Sequence, residues 1–165
     1  MNDITIQAAA TADIPTIHRL AHEIWWPAYG GLLSPGQISL MLENIYSADG
    51  LQQQMDAGQR FSLAIMERTA VGFVGFRLKP SATDIMRIEK LYILPAVQGH
   101  GIGQRLIHHV ARHALVAGAN CLELNVYRYN PAKAFYERQG FAVVEAVKIP
   151  YHGYVLDDYI MQKKL

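Results

Sequence analysis

The sequence predicts a mixed α/β fold built on one core sheet, with elements in the order βααβββαβαββ. Three observations carry that expectation. Short β-prone apolar runs are bounded by glycine and proline, while other segments repeat their apolar residues every third or fourth position. The stretch from Arg87 to Ala117 joins both patterns: an apolar run is broken at Pro95, passes Gly99, Gly101 and Gly103, then becomes helical through Ile102, Leu106, Val110 and Ala114. Finally, 165 residues that are 51% apolar suffice for one sizeable core, so a single domain over 1–165 is expected.

Taken in order, Ile4 to Ala8 alternates as a strand. Thr11 or Asp13, with Pro15, opens a helix carrying Ile14, Ile17, Leu20, Ala21 and Ile24, which Pro27 and Gly30 should stop. Ser34-Pro35-Gly36-Gln37 has a capping serine and a proline at the first helical position, so a second helix carries Ile38, Met41, Leu42 and Ile45. A polar, glutamine-rich segment closed by Gly58 follows. Phe61 to Met66 and Val71 to Leu78 read as a hairpin around Arg68, and Ile85 begins the strand that feeds the glycine loop. Gly118 suits the residue after a helix, Cys121 to Val126 is a strand, and Asn130-Pro131 starts a short helix to Gln139. Phe141 to Ile149 and Tyr154 to Lys163 close the chain as strands around Pro150 to Gly153.

Charge and composition exclude several functions. A net charge of +1 with scattered basic residues lacks the footprint of a nucleic-acid binder. The single cysteine, Cys121, rules out an internal disulfide, and His108 and His109 are adjacent on a helix, so they make a poor metal pair; no metal is expected. No apolar run approaches membrane-spanning length and no signal segment is seen, which makes a cytoplasmic protein the expectation.

A helix start offers backbone N–H groups without intrahelical partners, and glycines let an anion approach them. The loop therefore reads as an anion site. It is not a Walker loop, since Gly103 is followed by Gln104 and Arg105, nor the dinucleotide fingerprint, which needs glycine at Gln104; Glu123 as a ribose acid does not repair that. What fits is Gln-x-x-Gly-x-Gly, met as Gln98-Gly99-His100-Gly101-Ile102-Gly103. This resembles the pyrophosphate loop of the GNAT superfamily of N-acetyltransferases. The block Asn130-Pro131-Ala132-Lys133-Ala134-Phe135-Tyr136, ending in Gly140-Phe141, is similar to the family's second motif. The stretch Gly153 to Met161, with Trp26-Pro27 and Tyr29, resembles the PaiA-type polyamine and diamine acetyltransferases.

The resemblance implies a mostly antiparallel mixed sheet with helices on both faces, and transfer of acetyl from acetyl-CoA directly to a small-molecule amine. Leu91, Tyr92 and Ile93 would hold pantetheine by backbone groups, with the Leu91 N–H facing the acetyl oxygen. Gln98, Gly99, His100, Gly101, Ile102, Gly103 and Gln104 would hold the pyrophosphate, and Asn130 and Lys133 would add cofactor contacts. Tyr136 is the implied general acid, its phenol able to protonate the leaving thiolate. Glu89 shares strand parity with Leu91 and is the candidate base and substrate contact. Trp26, Tyr29 and Tyr151 are the expected walls of the acceptor slot, polyamines suiting it best. The family often dimerises, so a homodimer is one assembly the resemblance allows, while sequence leaves the oligomeric state open. The alternatives are a CoA-binding regulatory domain without turnover and an enzyme acting on a peptide or protein amine.

Overall fold

The computed structural model describes residues 3–165, and the expected order of elements holds there with one helix added. The strands are β1 (Ile4–Ala9), β2 (Arg60–Met66), β3 (Thr69–Lys79), β4 (Ala82–Ile93), β5 (Cys121–Tyr127), β6 (Ala142–Tyr151) and β7 (Tyr154–Lys164). The helices are α1 (Ile14–Tyr29), α2 (Pro35–Tyr46), α3 (Ala48–Asp56), α4 (Ile102–Val116) and α5 (Ala132–Arg138). Across the mixed sheet the strands run β1-β2-β3-β4-β5-β7-β6. The β4–β5 pair is parallel, which requires a crossover connection, and α4 lies in that connection. The pairings β1–β2, β2–β3, β5–β7 and β6–β7 are antiparallel.

Two details depart from the sequence reading. The glutamine-rich segment is helix α3, capped by Ser47, whose Oγ accepts the Gly50 N–H at 3.1 Å. Helix α1 passes through Pro27 to Tyr29, ending where the Gly30 N–H donates to the Trp26 carbonyl at 2.8 Å. Proline removes one N–H there, but the buried stripe Ile17, Leu20, Ala21, Ile24 and Trp25 anchors the helix beyond what that one bond supplied.

The chain divides into two compact units. The first comprises Met1–Arg77 with Lys90–His109 and buries Ile17, Leu20, Ile38, Phe73 and Leu106. Its α2 starts as expected, the Gln37 N–H donating to Ser34 Oγ at 3.2 Å. The second comprises Leu78–Glu89 with Val110–Leu165 and buries Met86, Ile88, Leu122, Leu124 and Met161. On β5 the apolar positions Leu122, Leu124 and Val126 are buried on one face, as a period of two requires. Strand β6 is exposed along almost all its length.

Candidate functional site

In the first unit, β4 leads through Pro95–Val97 into the glycine loop and α4. Gly99 and Gly101 have φ of +88° and +74°, backbone conformations that a Cβ would strain, although no atom crowds either position. Conformation, not packing, demands these glycines. The Gln98 N–H returns to the Pro95 carbonyl at 3.3 Å, and the Arg105 N–H reaches the Gly101 carbonyl at 3.1 Å. Between them, among the described residues, the N–H groups from Gly99 to Gln104 meet no acceptor. Such a row of amides at a helix start attracts an anion through both hydrogen bonding and the helix dipole.

Upstream, the end of β4 is held on β3. The Leu94 N–H donates to the Val71 carbonyl at 2.8 Å, and a Cβ on Gly72 would stand only 2.8 Å from the Tyr92 carbonyl oxygen. Only glycine permits that approach. Pairing of β4 with β5 spans Ile85↔Cys121 to Ile88↔Leu124, whereas β4 continues to Ile93 and β5 to Tyr127. The pairing therefore ends before Leu91, Tyr92 and Ile93, which are partly exposed.

Tyr92 belongs to an aromatic cluster that sequence reading did not anticipate. Its hydroxyl lies 3.0 Å from that of Tyr29, and its ring neighbours Trp25, Tyr46 and Phe73 within 6.4 Å between centroids. Burial, then neighbouring Tyr29, pushes the Tyr46 phenol far above its usual range, so it stays neutral. The available signal was one face of α1, with Trp25 and Tyr29 four apart. Trp26 faces elsewhere, 40% exposed, where it lines a groove with His18 and His22.

In the second unit, Glu89 is half-buried and accepts from Arg87 Nε at 3.3 Å. Arg87 is a hub: it also donates to Glu123 and, at 2.7 Å, to Asn125 Oδ1. Glu123 is only 2% exposed and is held further by Lys79 Nζ at 3.0 Å and Gln162 Nε2 at 2.7 Å. Burial alone would raise its pKa, but these donors and the Arg87 charge outweigh that and hold it below the usual carboxylate range. Its role is the anchor of a buried ion cluster. Asn125 passes the row on, donating to Asp158 Oδ2 at 3.3 Å, and burial raises the Asp158 pKa. Strand alternation puts Arg87 with Glu89 and Glu123 with Asn125 on common faces, but which strands pair is not written in it.

Tyr136, on α5, is 9% exposed and packs edge-on against Phe135 and Phe141 at 5.3 and 5.8 Å. Asn130 lies just before this helix, its Oδ1 accepting the Ala132 N–H at 2.9 Å. Lys133 donates to Glu137 at 3.3 Å and stands 5.4 Å over the Tyr159 ring, which Arg128 also faces at 4.7 Å. Tyr151 is half-buried with its ring edge-on to His152. Among the described residues, no three His, Cys, Asp or Glu side chains come together to hold a metal ion, and no helix is long and apolar enough to cross a membrane.

Comparison with known proteins gives this geometry a family. A family profile described as the acetyltransferase (GNAT) family matches residues 19–141. A spermidine N(1)-acetyltransferase of Thermoplasma acidophilum is 26% identical over 98% of this chain and 97% of its own length. A probable N-acetyltransferase of Mycobacterium tuberculosis is 26% identical over 94% of both chains. Among solved structures, a PaiA N-acetyltransferase from Thermoplasma acidophilum in complex with coenzyme A superposes with a TM-score of 0.83 at 24% identity, covering 99% of each chain.

Proposed function

Since the chain belongs to the GNAT family of acetyltransferases and is an acetyl-CoA-dependent N-acetyltransferase, we propose that its acceptor is a primary amine of a small, polyamine-like molecule, with Tyr136 as general acid. The observation that carries the reading is the row of unpartnered amides from Gly99 to Gln104, where two left-handed glycines open the start of α4 to a diphosphate. The early end of β4–β5 pairing supports the backbone role given to Leu91, Tyr92 and Ile93. In this reading the whole span 1–165 acts as one acetyltransferase domain.

The amine nitrogen attacks the thioester carbonyl, and the Leu91 N–H stabilises the tetrahedral oxyanion. The C–S bond then breaks, and the leaving thiolate takes its proton from the Tyr136 phenol. Glu89, kept in place by Arg87, takes the ammonium proton directly or through one water. Tyr29 and Tyr151 border the acceptor, while Asn130 and Lys133 extend the cofactor contacts. The spermidine acetyltransferase similarity over nearly the full chain supports a polyamine over a peptide.

The test is acetyl-CoA-dependent thiol release across polyamines, amino acids, aminoglycosides and peptide N-termini. Di- and polyamines are expected to give the highest kcat/KM. Preference for peptide N-termini would overturn the acceptor assignment, and no turnover on any amine would favour a CoA-binding regulatory role.

A further inference from the structure

Helices α1 and α2 of the first unit wall a groove of about 320 Å³ that the acetyl-transfer reading does not use. From α1 come His18, His22 and Trp26, four residues apart on one stripe; from α2 come Ser39 and Glu43; Ser47 lies at its end. The His18 and His22 rings are 4.3 Å apart. His18 Nδ1 stands 2.7 Å from the Tyr46 carbonyl oxygen, which can only accept, so Nδ1 carries the hydrogen. The Nε2 of the neutral ring is then an acceptor.

The polar and aromatic lining groups favour one ligand class, and Leu42 adds an apolar wall. The two rings are tilted at 44° to each other, and burial, then the nearby His18, holds the His22 pKa below its ordinary value. Glu43 is exposed and has no ion-pair partner among the described residues. Trp26 keeps two-fifths of its surface open, leaving indole area for a cation. Arg19 and Glu23, the charged neighbours on α1, satisfy each other at 3.1 Å. No lining residue other than the two histidines can carry positive charge. A carboxylate, an imidazole acceptor, serine hydroxyls and an indole, with no competing cation, match a primary ammonium on a short aliphatic chain.

We propose that this groove is a second binding site, specific for a small aliphatic diamine and separate from the acetyl-transfer centre. The separation follows from α1 itself: Tyr29 lies in the buried aromatic cluster with Tyr92, whereas Trp26 shares the exposed stripe of the two histidines.

The experiment is a titration of the full chain with 1,4-diaminobutane, without acetyl-CoA, following the imidazole C2–H proton resonances, with His18→Gln and His22→Gln used for assignment. Near pH 7.5 the His18 and His22 signals are expected to shift saturably, and Glu43→Gln to weaken that binding about tenfold. Thiol release by Glu43→Gln at saturating acceptor is expected to match the parent chain. Absence of shifts, shifts reproduced by sodium chloride at equal ionic strength, or unchanged affinity in Glu43→Gln would overturn the proposal. Failure of the acetyl-transfer reading is distinguishable, because it removes thiol release and leaves these shifts intact.

Discussion

Tyr136 illustrates how much a single side chain can mean beyond its packing. Its ring is buried between Phe135 and Phe141, a position any large aromatic could fill, so replacing it by phenylalanine removes the hydroxyl and little else. Tyr136→Phe is expected to lower kcat about 100-fold while leaving the KM for acetyl-CoA within about twofold. An unchanged kcat in steady-state assays would remove the general-acid role. Sequence gave Tyr136 its candidacy only through the surrounding Asn130 to Phe141 block; periodicity alone would have left it a core aromatic. Trp26 and Tyr29 show the opposite case, because two residues three apart on one helix were expected to share a slot and instead face different surroundings.

At the scale of the element, the legible parts were those with strong local chemistry. Ser34 capping α2, glycine after α4 and the strand preceding Pro95 were all visible, since each depends on a few adjacent residues. Helix α3 was not visible, because only Leu51 is buried along it and its glutamines give no apolar stripe; Gln54 instead binds the Ile45 carbonyl at 2.7 Å. The row across β4, β5 and β7 was hidden for another reason: Arg87, Glu123 and Gln162 are far apart in sequence and meet only through strand register. Glu123→Gln leaves Arg87 and Lys79 facing a neutral group and is expected to destabilise the fold by about 3 kcal/mol in urea unfolding. The sign of its pH dependence follows from the lowered pKa. The parent gains from ionised Glu123 above the unfolded carboxylate range and loses this as pH falls through the folded value. The variant should therefore show a flatter acid arm below about pH 5.

For the molecule as a whole, fold and reaction class were readable because the glycine loop and the Asn130 to Phe141 block occur in the right order, and the match over residues 19–141 spans both. The acceptor was the least readable feature, since the side chains proposed to border it, Tyr29 and Tyr151, lie far apart in sequence. Acetyl-CoA binding to the folded chain alone predicts stabilisation of about 2.7 kcal/mol at a concentration of about 100 Kd, measured as a rise in Tm of several degrees. No rise would contradict the site at the start of α4. The unpaired amides from Gly99 to Gln104 carry one more implication. Deuterium should enter these positions in the unliganded protein without waiting for any part of the fold to open, as in a peptide free in solution. Once a diphosphate occupies them the same six positions should become slow together, giving a residue-by-residue record of occupancy that needs neither turnover nor an identified acceptor.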